Sequence, residues 1–107
     1  MTKTISYHAK HERQNRIDFI IDWCKGEFGT PIATAYDADG KGKRVLTDKG
    51  LLIVYSAADN KLITMWIASV LQGVAVYKAS HRGQEVPWKM MQVLHNNKKA
   101  NERQPKD

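Results

Sequence analysis

Residues 46–68 read LTDKGLLIVYSAADNKLITMWIA, and this stretch decides the fold. Thr47-Asp48-Lys49-Gly50 is a turn signal, with Gly50 able to take positive φ. Leu51 to Ser56 is a nearly continuous apolar run, the pattern of a central strand. Asp59-Asn60 turns the chain again. Lys61 to Ala68 then alternates, with Leu62, Thr64, Trp66 and Ala68 on one face and Ile63, Met65 and Ile67 on the other.

The same grammar extends toward the N-terminus. Ile32 to Tyr36 alternates, Asp37-Ala38-Asp39-Gly40 is a turn, and Lys43 to Thr47 is a short second strand. Four short strands with tight polar turns make a meander. A helix is expected ahead of them, from about His8 to Lys25, with Ser6 or Thr4 as its N-cap. Ile17, Ile20, Ile21, Cys24 and Phe28 recur at helical spacing and define an inward stripe, which Phe19 and Trp23 widen. Gly26, Gly29 and Pro31 stop that helix.

Beyond the meander, Val70 to Tyr77 reads two ways: a fifth strand interrupted by Gly73, or a short helix over 69–77. Ser80 to Gly83 is a loop. Pro87 opens a final helix with Trp88, Met91 and Leu94 on one face and Met90 and Val93 beside them. From Asn96 onward the chain is polar and is expected to be flexible. Trp23, Trp66 and Trp88 are assigned to the core. The expected architecture is α+β: an N-terminal helix packed on a four- to five-stranded antiparallel meander, then a C-terminal helix and polar tail. Residues 1–95 form one domain and residues 96–107 the tail.

The 107 residues suffice for one core and no second. A single cysteine, Cys24, excludes an internal disulfide and suits a reducing compartment; its place on the apolar stripe makes it core filler. No apolar run follows a basic start, and none is long enough to span a bilayer, so a cytoplasmic protein without membrane attachment is expected.

Seventeen Lys and Arg against eleven acids give a net charge of +6. The charge is uneven. Lys3, Lys10, Arg13 and Arg16 outweigh Glu12 in residues 1–16, whereas residues 17–40 are acidic. Residues 41–50 and 78–107 are basic again. A polyanion partner needs these three stretches gathered on one face.

No metal-ligand set, phosphate loop or dinucleotide fingerprint is present, and no cofactor is expected. His8 and His11 are three apart, but Cys24 and the other two histidines stand at no ligand spacing from them. Gly40-Lys41-Gly42-Lys43 is a flexible basic hairpin tip, with Arg44 following. His8, Lys10, His11, Arg13 and Arg16 form either an imidazole beside phosphate-holding guanidiniums or a solvated helix face.

Tyr77, Lys78, His81 and Arg82 form a second cluster. RNA cleavage without a metal needs a base for the 2′-hydroxyl, an acid for the leaving oxygen and a cation for the phosphorane, and these types supply all three. A plain basic loop is the other reading. Tyr36, Tyr55 and Trp66 would stack bases if they lay on an open sheet face. The candidate catalytic residues are therefore His81, Arg82, Tyr77 and His8. The candidate nucleic-acid contacts are Lys10, His11, Arg13, Arg16, Lys41, Lys43, Arg44 and Lys78.

The Ile-Ser-Tyr-His-Ala opening, the Arg- and Ile-rich helix, Leu46 to Val54, and Asn60-Lys61-Leu62-Ile63-Thr64-Met65-Trp66 resemble small bacterial and phage proteins akin to the RelE/ParE toxin superfamily. The resemblance covers about residues 4–70. It implies a helix on a curved antiparallel sheet and, for active members, cleavage of free or ribosome-bound RNA by basic and aromatic residues near the last strand. His8 matches the opening histidine; Tyr77, Lys78, His81 and Arg82 match by position and residue type. The chain departs from the pattern in having one N-terminal helix and an added C-terminal one.

The resulting expectation is an RNA-binding protein of RelE-like fold, extending to a metal-independent endoribonuclease toxin, with RNA or the ribosome as partner. The alternative is a non-enzymatic phage or mobile-element accessory protein that binds and inhibits a host protein or nucleoprotein. Either a monomer or a homodimer built through Trp88, Met91 and Leu94 is compatible.

Overall fold

A computed structural model describes residues 7–106, with side chains from Gln14 onward. Helix α1 (Tyr7–Cys24) precedes strands β1 (Pro31–Tyr36), β2 (Gly42–Thr47), β3 (Leu51–Ser56) and β4 (Leu62–Ile67). Helices α2 (Val70–Ser80), α3 (Trp88–Asn96) and α4 (Lys98–Arg103) follow. The strands form one antiparallel sheet in the order β1-β2-β3-β4, as the turn signals require. Gly50 has φ +83°, and its N–H is donated to the Thr47 carbonyl, closing the β2–β3 turn.

The sheet is covered on both faces. On one side Ile20 of α1 packs with Leu51, Ile53, Met65 and Ile67. On the other, α2 and α3 bring Val76, Met90 and Leu94 against Ala33, Leu46 and Leu52. This explains the unbroken apolar run of β3: Leu51 to Val54 alternate between two buried faces. Each of these side chains contributes roughly 1.5–3 kcal/mol by leaving water.

Several expectations change in the folded chain. Val70 to Tyr77 is helix, not a fifth strand. Ser69 accepts from the Gln72 N–H at 3.1 Å, and the Gln72 side chain accepts from the Ser69 N–H at 3.0 Å. This reciprocal cap satisfies two end donors that a strand would leave to a neighbour. Gly73 is a contact glycine, lying against Leu94.

The polar segment after Asn96 is also ordered by partners the sequence did not announce. Asn97 donates to the Lys49 carbonyl at 2.7 Å, and Gln104 bonds both backbone groups of Ile67. On α1, Ile21 points to solvent while Phe19 and Trp23 pack inward. On α3 the inward side is Met90 and Leu94, and Trp88, expected in the core, is 68% exposed. The Ser6 or Thr4 cap and the side chains of His8, Lys10, His11 and Arg13 lie outside the described residues.

Candidate nucleic-acid interface

Register places Arg44, Val54 and Thr64 in one cross-strand row, and Leu46, Leu52 and Trp66 in the next, all on the α2 side of the sheet. Two guanidiniums converge on the Trp66 indole. Arg44 lies 5.9 Å from the ring centroid and Arg16 lies 5.6 Å from it. The ring N–H is donated to Gln72 Oε1 at 3.2 Å, which fixes the indole against the start of α2.

Arg16 reaches this point from α1 around the outer edge of β4. Its Nε donates to the Met65 carbonyl at 3.0 Å and an NH2 group to Thr64 Oγ1 at 2.7 Å. At 8% exposure it is a buried, hydrogen-bonded cation, not the surface phosphate contact its sequence position suggested. Arg44 keeps an exposed side chain paired with Asp37 at 3.3 Å. Beside the indole opens a cleft of about 370 Å³, lined by Arg16, Trp66, Gln72, Gln104 and Lys106 among others, with no carboxylate from the described residues in its wall. Lys106 has no partner among the described residues.

The second cluster sits elsewhere. Tyr77 and His81, one turn apart on α2, stack at 4.1 Å with an interplanar angle of 19°. They line a cleft of about 470 Å³ with Ile32, Pro87, Lys89, Met90 and Val93. His81 Nε2 lies 2.9 Å from the Ile32 carbonyl. A carbonyl only accepts, so Nε2 carries the proton and Nδ1 is the nitrogen left for other chemistry. Ile32 falls in the register shift of β1, where its carbonyl is off the ladder. Ser80 next door accepts from the Thr34 N–H at 2.9 Å. His81 and Ser80 thus tie the end of α2 to the β1 edge. Arg82, exposed at φ +54°, lines neither cleft, and Lys78 lies on a different side of α2 with Val74 and Glu85.

The basic stretches therefore do not share one site. Lys41, Lys43 and Arg44 are at the β1–β2 hairpin end, and His81 is at the opposite end of β1, beside Ile32. Lys43 points to the α1 side, with its Nζ 5.6 Å from the Tyr55 ring and 2.9 Å from Asn60 Oδ1. Tyr55 faces that same side, Tyr36 stands exposed on the β1 edge, and Trp66 is on the other face, so the three aromatics form no common platform. The two clefts lie toward opposite ends of α2, the residues that line them there (Ser69 and Gln72, Tyr77 and His81) standing on average about 13 Å apart at the helical rise.

Sequence reasoning missed Gln72, Gln104 and Lys106. The spacing Ser69-x-x-Gln72 is a capping-box signal and was available; nothing local marks Gln104, which acts across 37 residues. Among the described residues no group of His, Cys, Asp and Glu could hold a metal ion, and no helix is long and apolar enough to cross a membrane. Comparison with protein-family models, curated proteins and solved structures finds no match to this chain.

Proposed function

We propose that this protein binds single-stranded RNA through the cleft at Trp66. The observation that carries the reading is the Trp66 indole, fixed by Gln72 and flanked within 6 Å by the guanidiniums of Arg16 and Arg44. A half-buried indole offers a stacking surface to an unpaired base, worth about 1–3 kcal/mol per base. Lys106 in the cleft wall and the exposed Arg44 beside the indole suit the adjoining phosphates, while the buried Arg16 stays bonded to β4. A duplex hides its base faces, which is why the reading is for a single strand.

Fluorescence anisotropy of a labelled oligoribonucleotide, titrated at rising salt, tests this. The expected result is binding whose logarithm falls linearly with the logarithm of salt concentration. Trp66→Ala should weaken it by about 1–3 kcal/mol, and Trp66→Phe by less. Wild-type protein that leaves the RNA free at low salt would sink the proposal, as would Trp66→Ala and Arg44→Ala variants that both bind like wild type. Gel analysis of the same mixtures scores cleavage. An endoribonuclease activity would draw on the Tyr77–His81 pair and vanish in His81→Ala with binding retained.

A further inference from the structure

The Oε1 atom of Gln72 accepts two N–H groups at once, from the Ser69 backbone at 3.0 Å and from the Trp66 indole at 3.2 Å. Both partners can only donate, so the carboxamide cannot turn over, and its NH2 group is the end left for other contacts. That group has no partner among the described residues. A glutamate at this position would complete the capping box equally well, and its charge would favour the start of α2. What the carboxamide supplies instead is a neutral N–H donor in the cleft wall.

Asn101 lines the same cleft and is fixed the other way round. Its Nδ2 donates to the Ile67 carbonyl at 2.7 Å, so Oδ1 is the acceptor left over. The cleft thus presents a fixed donor and a fixed acceptor beside the indole. A phosphodiester can only accept, whereas the edge of an unpaired base both accepts and donates. The indole N–H lies in the ring plane, so the carboxamide that takes it sits at the rim of the ring, next to the edge of a base stacked there.

We infer that Gln72 and Asn101 read the edge of the base stacked on Trp66, the Gln72 NH2 group donating to a base acceptor and Asn101 Oδ1 accepting a base N–H. The uracil edge, a carbonyl beside a ring N–H, supplies both. This rests on the single-stranded RNA reading above and adds which atoms touch the base.

Anisotropy titrations at low salt with oligouridylate, its N3-methyl form and an abasic oligomer of the same length test it. N3 methylation removes the only N–H of the uracil ring and leaves the phosphates unchanged; wild type should bind the methylated strand about fivefold more weakly. Gln72→Glu keeps an oxygen for Ser69 and Trp66, so its thermal midpoint should stay level or rise. It should weaken oligouridylate about fivefold more than it weakens the abasic oligomer, whose loss reports the added charge alone. Equal losses on those two overturn the Gln72 contact, and equal binding of the methylated and unmethylated strands overturns the Asn101 contact, with the RNA reading left standing in both cases. A lower midpoint for Gln72→Glu also overturns the inference, because the amide would then be serving the fold. Wild type that binds none of the three oligomers removes the RNA reading itself, and this inference with it.

Discussion

Gln104 and Ile67 bond to each other as residues on neighbouring strands do: the carboxamide oxygen accepts the Ile67 N–H at 2.7 Å, and its NH2 group donates to the Ile67 carbonyl at 2.9 Å. Ile67 is on β4, an outer strand, and its outward backbone groups would otherwise face an open edge. Arg16 takes the Met65 carbonyl two residues earlier, and Asn101 adds a second donor to Ile67 at 2.7 Å. At the other edge, Ser80 and His81 take the Thr34 N–H and the Ile32 carbonyl. Side chains from α1, α2 and the C-terminal segment thus close both edges of a four-stranded sheet.

Gln104→Ala leaves the buried Ile67 N–H without its acceptor, while Asn101 still serves the carbonyl. An unmade bond at a buried backbone donor costs about 1–3 kcal/mol. The urea midpoint should drop accordingly, with more association at high concentration as the β4 edge opens. An unchanged midpoint would show that Gln104 contributes nothing to closing the edge.

Gly73→Ala tests the approach of α2 to α3. A Cβ there would stand 2.7 Å from both Leu94 methyl carbons, and Leu94 is fully buried. Crowding of a packed core typically costs about 1–3 kcal/mol, more than the helix gains by losing a glycine. Adding Leu94→Ala should relieve the clash, so the two substitutions together should cost less than their sum. Thermal denaturation of the four proteins of this cycle decides it; strict additivity would refute the contact.

Asp59 predicts an acid-side effect. The bond from the Lys61 N–H to its carboxylate, at 3.1 Å, holds its pKa below the ordinary 3.8. A carboxyl depressed by folding contributes stability that is present above its unfolded value. That contribution fades as the pH falls through 3.8 and on through the lower folded value. Asp59→Ala should therefore be destabilised relative to wild type at neutral pH and converge with it below that window. Urea midpoints that stay parallel through the window would count against the turn bond.

The residues from Ile32 to Ala68 are legible because the turn chemistry and the period-two pattern are local. Gly50 can take its positive φ and Asn60 its αL conformation whatever lies across the molecule. Val70 to Tyr77 was ambiguous because its apolar residues suit either period; the decisive pair, Ser69 and Gln72, is a cap whose meaning depends on a helix forming. Helical spacing groups Trp88 with Met91 and Leu94, and only packing shows that those two meet the core while Trp88 stays exposed.

Sequence alone determined the order of the helix and four strands, the antiparallel meander and the net positive charge, because propensity, turn geometry and composition act over a few residues. Only the tertiary structure decided where the charge goes. It buries Arg16 at the β4 edge, sets Arg44 against the same indole, and leaves His81 about a helix length away, holding β1. Such assignments depend on contacts between residues tens of positions apart, and these exist only after the strands have chosen their register and the helices their faces.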